Sequence, residues 1–345
     1  MQIRIIAFTK QGVQLAQHLT TELSTQCVDD EIQAYTLQKY SNETVKGITE
    51  SVKKWTGKVF SKSDALIYIG ATGIAVRSIA PYLKDKWTDP AVLALDEKGD
   101  YVISLLSGHI GGANDLARRI AKMTKGVPIV STATDVQGLF AVDEWAHKKG
   151  LTIKGREEAK LLSSYLLEEK TIRVKTPFDM RGQLPKHFIQ EGEGDYTLTI
   201  SEYAKKEENT LQLIPKVLTL GIGCRRGTSL EKIEQLVLAC LEKEGLAIEA
   251  IRDVASIDLK QDEEGLLGFA KKYQLQLHFF SSQTLAKEKG EFTSSVFVQQ
   301  ITQVDNVCER AAVVASKGKL IQRKVAREGV TLAIAVAPYT IEWTN

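Results

Sequence analysis

The segment from residue 101 to residue 123, YVISLLSGHIGGANDLARRIAKM, constrains the fold of this chain more than any other. A short apolar run ends in the glycine-rich sequence 107–112, and apolar side chains then recur at Leu116, Ile120 and Met123. This spacing is typical of a helix with one buried face, so the segment predicts a strand, a tight loop and a helix. In a parallel α/β sheet, such a loop lies at the carboxyl edge, where ligands usually bind.

The loop 107–112 has the composition of a ligand-binding turn. Glycine permits positive φ angles and a close approach of the backbone to a ligand, and a helix start offers free N–H groups to an anion. His109 is the one side chain in the loop whose charge changes near neutral pH. The loop is therefore a candidate site. The alternative is that the glycines only form a tight turn and that His109 packs or faces water.

The pattern of a buried strand followed by a small or polar loop recurs on both sides of this segment. Residues 64–69 (DALIYI) form a continuous apolar run typical of buried parallel strands, and the turn 70–73 and a helix carrying Arg77 follow. The run 128–131 leads in the same way to Asp135, a candidate catalytic carboxylate or, alternatively, a helix N-cap. Because three apolar strands end in such loops, we expect one sheet edge to form a cleft.

Local patterns also predict individual elements. The turn sequence 96–100 (DEKGD) is expected to join strands 91–95 and 101–106 as a hairpin. Residues 45–55 and 293–302 are predicted to form helices.

A second glycine-rich segment, 221–227 (GIGCRRG), follows the apolar run 216–220 and precedes a long amphipathic pattern. Its spacing differs from the G-x-G-x-x-G fingerprint, which disfavours dinucleotide binding. Arg225 and Arg226 at a helix start suit carboxylates or phosphates, because bidentate guanidinium bonds add to the field of the helix N-terminus. The alternative for the arginines is a solvated loop. Cys224 is a candidate nucleophile, because cationic neighbours lower the pKa of a thiol. Since no base lies nearby in the sequence, we expect a passive thiol instead.

Composition excludes several classes of protein. Lys and Arg total 45 against 43 Asp and Glu, so the net charge of +2 argues against nucleic-acid binding through bulk charge. The four cysteines have no zinc-like spacing, so no metal site is expected and the thiols are predicted to be reduced. The sequence has neither a signal-peptide layout nor an apolar stretch long enough for a bilayer, so we expect a cytoplasmic protein without membrane contact.

The chain length predicts more than one domain. We expect an α/β protein with an N-terminal parallel-sheet α/β region with glycine-rich βα loops at 1–149, a smaller middle region and linker at 150–210, and a separate C-terminal α/β domain at 211–345.

Several long motifs, in order, resemble the cobalt-precorrin-5A hydrolases of anaerobic cobalamin biosynthesis. In the first part of the chain these are IGATGIAVRSIAPYLKDKWTDPAVLALDEKG, LLSGHIGGANDLARRIA, PIVSTATDVQG and AVDEWA. In the last domain they are LGIGCRRGTS, IDLKQDEEGLLGFA, FTSSVFVQQ and VCERAA. The resemblance covers about residues 60–145 and 215–337.

The resemblance implies a substrate and a reaction. The substrate is a cobalt-containing, ring-contracted tetrapyrrole with many carboxylates and a δ-lactone on its first ring. Water opens the lactone, and the two-carbon fragment departs as acetaldehyde to give cobalt-precorrin-5B. No protein cofactor is implied, because the substrate carries the cobalt. The expected partners are this small molecule and, transiently, neighbouring pathway enzymes.

A mechanism can be assigned to the loops as a hypothesis. His109 is the general base for the attacking water, the backbone N–H groups of Gly111 and Gly112 stabilise the oxyanion, and Asp135 orients His109 or moves the proton. Lactone hydrolysis does not need a Schiff base at Lys260. The residues predicted to bind the substrate are Gly70, Gly73, Arg77, Ser107, Gly108, Gly111, Gly112, Asn114, Gly223, Arg225 and Arg226.

Two other functions fit the same residues. A non-catalytic carrier of tetrapyrrole intermediates would need the anion sites but no base. A nucleotide-dependent oxidoreductase is the second alternative, and it predicts a thermal shift with NAD(P).

Overall fold

The computed structural model describes residues 1–26, 29–85, 88–108, 111–205, 207–294 and 304–343. His109 lies outside these ranges, as does most of the helix predicted at 293–302. Contacts divide the chain into two compact units, Met1–Trp145 and Ala146–Asn345. Among the helices described, none is long and apolar enough to span a bilayer.

The first unit alternates strands with helices. Its strands are β1 (Gln2–Ala7), β2 (Glu31–Leu37), β3 (Val45–Ile48), β4 (Ala65–Ile69), β5 (Ala91–Leu95), β6 (Tyr101–Leu106) and β7 (Val127–Ile129). Its helices are α1 (Lys10–Gln26), α2 (Val52–Val59), α3 (Thr72–Ile79), α4 (Ala113–Thr124) and α5 (Ala133–Val136), and α6 (Val142–Lys148) runs across the division between the units.

The strands of the first unit form one sheet in the order β3-β2-β1-β4-β5-β6-β7. The first five strands in this order are parallel, which confirms the parallel-sheet α/β prediction. β6 is antiparallel to β5, as the predicted hairpin requires, and β7 is parallel to β6. The direction of the strands in the sheet therefore reverses between β5 and β6.

Helices cover both faces of this sheet. On one face, α1 and α4 pack on alternate residues of the central strands, including Ile5, Ile67 and Leu93. On the other face, α2 and α3 cover the intervening residues, including Leu66 and Val92. Because each central strand is buried on both sides, its sequence is a continuous apolar run.

The prediction of a helix over residues 45–55 is wrong in its first half. Val45–Ile48 is a strand that pairs in parallel with β2, and α2 begins only at Val52. The Asn42 side chain accepts hydrogen bonds from the backbone N–H groups of Thr44 and Val45, which forms a turn ahead of the strand. Val45 and Ile48 are buried against the sheet, and tertiary packing thus overrides the local pattern.

The second unit contains the remaining elements. Its strands are β8 (Thr152–Lys154), β9 (Ile172–Lys175), β10 (Asp179–Arg181), β11 (Phe188–Ile189), β12 (Tyr196–Ile200), β13 (Thr210–Ile214), β14 (Leu218–Cys224), β15 (Ile251–Ile257), β16 (Gln276–Phe280), β17 (Lys319–Arg327), β18 (Val330–Val336) and β19 (Thr340–Glu342). Its helices are α7 (Arg156–Leu167), α8 (Leu230–Glu244), α9 (Glu264–Lys272), α10 (Ser282–Lys287) and α11 (Val307–Ser316).

Two five-stranded sheets and a two-stranded sheet organise this unit. The middle sheet has the order β11-β9-β12-β13-β8, so β13 belongs to it although it begins at the predicted boundary near 210. The C-terminal sheet has the order β16-β15-β14-β18-β17, and its first three strands are parallel. Strands β10 and β19 pair with each other. A separate C-terminal α/β sheet is thus confirmed.

The C-terminal sheet is also covered on both faces. Helices α8 and α9 bury residues such as Leu236 and Phe269 against one face. Helix α11 packs on the other face, where Ala311 meets Ala255 and Ile257 of β15. This arrangement brings the start of α11 next to the carboxyl ends of β14 and β15.

Candidate functional site

The glycine-rich loops of the first unit do not share one sheet edge, so the prediction of a single cleft is wrong. The N–H of Gly70 donates to the Leu95 carbonyl, at the carboxyl ends of β4 and β5. The Ser107 hydroxyl donates to the Asp89 carbonyl, just before β5 begins. Because the hairpin reverses β6, the loop after it emerges at the opposite edge from Gly70.

The carboxyl edge of the parallel strands carries a cavity of about 560 Å³. It is lined by residues that follow β1, β4 and β5, including Thr9, Thr72 and Glu97, and by Gly70. The strand order reverses between β1 and β4, which is where ligands bind in open α/β sheets. Two other residues predicted to bind the substrate, Gly73 and Arg77, lie next to each other in α3. Gly73 is in the first turn of the helix, and a Cβ atom on it would lie 3.3 Å from Nη1 of Arg77.

At the opposite edge, the described part of the loop after β6 is tightly built. The N–H groups of Ala113 and Asn114 donate to the carbonyls of Ser107 and Gly108, respectively. A Cβ atom on Gly108 would lie 2.7 Å from Oδ1 of Asn114, and one on Gly111 would lie 2.8 Å from the Ser107 carbonyl oxygen. Both positions therefore require glycine. The backbone at Gly112, with φ of 77°, also favours glycine.

Three of the predicted residues meet at this loop. Asn114 is 1% exposed, and its Oδ1 accepts a hydrogen bond of 2.7 Å from the Ser104 hydroxyl. Nδ2 of Asn114 donates to Oδ2 of Asp135 at 2.8 Å. Ser107 lies at the start of the same turn, where its carbonyl accepts from the N–H of Ala113. The buried amide thus links the loop after β6 to the carboxylate after β7.

Arg118 completes this group and is absent from the sequence prediction. Its Nη2 contacts Oδ1 of Asp135, and its Nη1 donates to Oδ1 of Asp115 at 3.2 Å. The hydrogen bond to Asp135 raises the pKa of Arg118. Both oxygens of Asp135 therefore accept hydrogen bonds, one from a cation. The signal in the sequence is the spacing of four residues from Asn114 to Arg118, which puts both on one face of α4.

The N–H groups of Gly111 and Gly112 have the freedom that an oxyanion site needs. Within the described part of the chain, neither N–H donates a hydrogen bond to another group. Both precede α4, whose N-terminus favours negative charge. The role of His109 itself stays a prediction, because this residue lies outside the described ranges.

The second glycine-rich segment is largely a strand rather than a loop. Strand β14 continues to Cys224, and Gly221 and Gly223 pair with residues of β18. A Cβ atom on Gly221 would lie 1.8 Å from the carbonyl oxygen of Cys308, and one on Gly223 would lie 2.6 Å from Oγ1 of Thr331. These glycines make room for α11 and β18, so they do not indicate a dinucleotide site.

A cavity of about 760 Å³ opens where β14 and β15 end. Its volume falls in the range of about 300–1,000 Å³ that is typical of small-molecule sites. The lining includes the predicted residues Gly223, Arg225 and Arg226. Lys260, Lys324 and Arg327 add three more cations, and Glu328 is the one acidic residue among the described residues of the lining. This surplus of basic side chains favours an anionic ligand.

The charged segment after β15 supports one wall of this cavity. Glu263 is 3% exposed and accepts hydrogen bonds from the backbone N–H of Gly227, at 3.0 Å, and from Nζ of Lys260, at 3.0 Å. Asp262 accepts a hydrogen bond from Arg226 at 2.8 Å. The segment 258–265 is therefore bound to the turn after β14, a connection that sequence spacing does not reveal.

Helix α11 and strand β17 form the other wall. The Asn306 side chain caps α11 by accepting from the N–H of Glu309 at 2.9 Å. Glu309 is fully buried, and its carboxylate accepts from the N–H and hydroxyl of Thr293 and from the N–H of Lys324. One carboxylate thus joins α11 to the segment that carries Thr293 and to β17.

The two cysteines that line the cavity differ in exposure, because Cys308 is buried and Cys224 is partly exposed. Burial raises the pKa of Cys224, and burial raises the pKa of Cys308 to about 11. The thiolate is the reactive form, so a raised pKa slows reaction at neutral pH. This agrees with the prediction of a passive thiol at Cys224.

We therefore expect iodoacetamide to label Cys308 slowly in the folded protein at pH 8. A pKa near 11 leaves a thiolate fraction roughly a hundredfold smaller than an unperturbed thiol has, because each pKa unit is a factor of about ten. Peptide mass spectrometry should show labelling that accelerates above pH 9 or when urea unfolds the chain. Rapid labelling of Cys308 at pH 8 in the folded protein would contradict the burial.

The fold and the cavity define a class of protein: an α/β protein with a cation-lined cavity at the carboxyl ends of parallel strands. The family model described as cobalamin synthesis G N-terminal matches residues 54–135, and the one described as cobalamin synthesis G C-terminus matches residues 218–335. The chain belongs to the cobalt-precorrin-5A hydrolase family, which confirms the resemblance seen in the sequence motifs.

Two relatives support this membership over 97% of the chain. The cobalt-precorrin-5A hydrolase of Priestia megaterium is 32% identical over 361 residues, which cover 97% of this chain and 95% of that protein. The enzyme of the same name from Salmonella typhimurium is 32% identical over 349 residues and 97% of both chains. A solved structure of a cobalamin biosynthesis protein G homolog from Sulfolobus solfataricus covers 97% of both chains, with 22% identity and a TM-score of 0.43.

Proposed function

We propose that this protein hydrolyses cobalt-precorrin-5A to cobalt-precorrin-5B and acetaldehyde. Relatives that carry the name cobalt-precorrin-5A hydrolase match nearly the full length of the chain. The observation that carries the proposal for this chain is the cation-lined cavity after β14 and β15. A tetrapyrrole with many acetate and propionate groups is a ligand of the matching charge.

The reaction consumes one water molecule. Water adds to the lactone carbonyl, the acyl–oxygen bond breaks, and the products are a carboxylate and a hydroxyl group on the two-carbon fragment. The hydroxyl proton then passes to solvent, and an oxygen electron pair forms the C=O bond of acetaldehyde as the carbon–carbon bond to the macrocycle breaks. The electron pair of the breaking carbon–carbon bond moves into the cobalt macrocycle, which is electron-poor.

The loop between β6 and α4 supplies the proposed catalytic groups. His109 takes the proton from the attacking water, and the N–H groups of Gly111 and Gly112 stabilise the oxyanion. Asp135 is proposed to orient the base. Its hydrogen bonds to Asn114 and Arg118 support a fixed, negatively charged carboxylate in this role.

Replacing both Arg225 and Arg226 by alanine is expected to weaken substrate binding about tenfold, because the variant loses two of the five cations that line the cavity and their hydrogen bonds to ligand carboxylates. Spectral titration with cobalt-precorrin-5A measures the dissociation constant. Lys243→Ala, which removes an exposed cation at the end of α8, is the matched control and should bind normally. Unchanged binding by the double variant would remove these arginines from the site.

Release of acetaldehyde separates this function from its alternatives. A carrier of tetrapyrrole intermediates would bind the substrate in the same cavity and release no acetaldehyde. A nucleotide-dependent oxidoreductase would show a thermal shift with NAD(P). Transient contact with neighbouring pathway enzymes and a cytoplasmic location remain part of the proposal.

A further inference from the structure

The five basic side chains that line the cavity of the second unit are not equivalent. Three of them have an acidic partner. Arg226 lies 2.8 Å from Oδ2 of Asp262, and Nζ of Lys260 lies 3.0 Å from Oε1 of Glu263. In the third pair, Nε of Arg327 lies 3.6 Å from Oε1 of the neighbouring Glu328. The charge of each of these cations is partly balanced within the protein.

Arg225 and Lys324 differ from the other three. Among the residues that the structure describes, no carboxylate lies within ion-pair distance of either side chain. Lys324 is only partly exposed, at the cavity wall formed by β17. A partly buried cation without a counter-ion is unfavourable, so an incoming anion gains most at Lys324. Arg225 is exposed, and its positive charge is left unbalanced at the mouth of the same cavity.

The backbone holds both residues in place. The N–H of Arg225 donates to the Gly329 carbonyl at 2.9 Å, and a Cβ atom on Gly329 would lie 3.0 Å from Cδ of Arg225. The arginine side chain thus lies against the turn between β17 and β18. The N–H of Lys324 donates to the buried carboxylate of Glu309 at 2.7 Å. Fixed positions reduce the entropy lost when a ligand binds.

The first turn of α11 faces the same space. Asn306, Val307 and Cys308 all line the cavity together with Lys324. The N-terminal end of a helix carries partial positive charge, which adds to the attraction for a carboxylate.

We propose that Arg225 and Lys324 are the two side chains that bind the carboxylates of a cobalt corrinoid, whereas Arg226 and Arg327 mainly hold their own acidic partners. The proposal rests on the proposed function and deepens it, because it divides the predicted arginine pair and adds a lysine from β17. It also identifies the ligand groups as carboxylates rather than the macrocycle itself.

The experiment compares four single variants of the full-length protein: Arg225→Gln, Lys324→Gln, Arg226→Gln and Arg327→Gln. Glutamine removes the charge and keeps much of the side-chain length. The probes are cobyrinic acid, a stable corrinoid polycarboxylate, and its methyl ester, which lacks the charges. Spectral titration at low and moderate salt measures each dissociation constant, and thermal unfolding checks that each variant folds.

Loss of Arg225 or Lys324 is expected to raise the dissociation constant for cobyrinic acid about tenfold or more and to weaken its salt dependence. Arg226→Gln and Arg327→Gln should change it less than about threefold, as is usual for exposed ion pairs. Lys324→Arg should restore much of the binding. All variants and the wild type should bind the methyl ester weakly and with equal affinity.

Two results would overturn this division of roles: normal binding by Lys324→Gln, or a loss in Arg226→Gln equal to that in Arg225→Gln. Either result leaves the cavity as the carboxylate site, provided that wild-type protein prefers the acid to the ester. If wild-type protein shows no such preference, the proposed use of the cavity fails, and this inference fails with it.

Discussion

A His109→Ala variant is expected to release acetaldehyde about 10²–10⁴-fold more slowly than the wild type, the usual contribution of a general base. The reason is that His109 is the titratable side chain in a loop whose described ends are firmly held. The Ser107 hydroxyl is bonded to the Asp89 carbonyl, and Asn114 is bonded to Ser104 and to Asp135. Trapping of acetaldehyde at saturating substrate measures the effect on turnover.

The matched control is His18→Ala. His18 is exposed on α1, so its removal should leave turnover unchanged. Near-normal turnover by His109→Ala would exclude it as the base. A loss of substrate binding without a loss of turnover at saturation would make it a binding residue instead.

Gly221→Ala is expected to destabilise the second unit by about 1–3 kcal/mol, the range for overpacked cores. The added Cβ atom would lie 1.8 Å from the Cys308 carbonyl oxygen, and this contact is with backbone rather than with a flexible side chain. Alanine also restricts the unfolded chain, which by itself stabilises by about 0.4–1 kcal/mol. The clash is the larger effect, because α11 must shift away from β14.

Urea unfolding, followed by circular dichroism, measures this loss. Gly268→Ala, within helix α9, is the control, since the nearest atom to its Cβ would be Cδ1 of Leu230, at 3.0 Å, the end of a flexible side chain. Gly268→Ala should be neutral or slightly stabilising, as is usual for alanine in a helix. Equal stability of Gly221→Ala and wild type would show that α11 does not pack as closely as the contact implies.

Much of the fold follows from local sequence patterns. The buried strands β4 and β5 are continuous apolar runs, and the DEKGD turn predicts the hairpin to β6. The failure at residues 45–55 has a different origin. Val45 and Ile48 are three residues apart, a spacing that matches one face of a helix, whereas in the structure they pack on opposite faces of the sheet. Only pairing with β2 selects the strand.

The candidate sites were found in part. The sequence indicated Arg225 and Arg226, and the structure places both at the larger cavity. Lys324 was not predicted from the sequence, because it lies in a strand about a hundred residues later and is part of no recognisable motif. Arg118 was not predicted either, because only the pairing of β6 with β7 brings its partner Asp135 close to it.

The sequence by itself determined the α/β class, the glycine positions and the family, because apolar periodicity and long motifs are properties of the chain. Only the tertiary structure decided which loops share an edge. Reversal of β6 separates the loop around Gly108 from the turn at Gly70, and α11 gives Gly221 a packing role. These outcomes depend on strand direction and on contacts between distant segments, and local patterns carry no information about either.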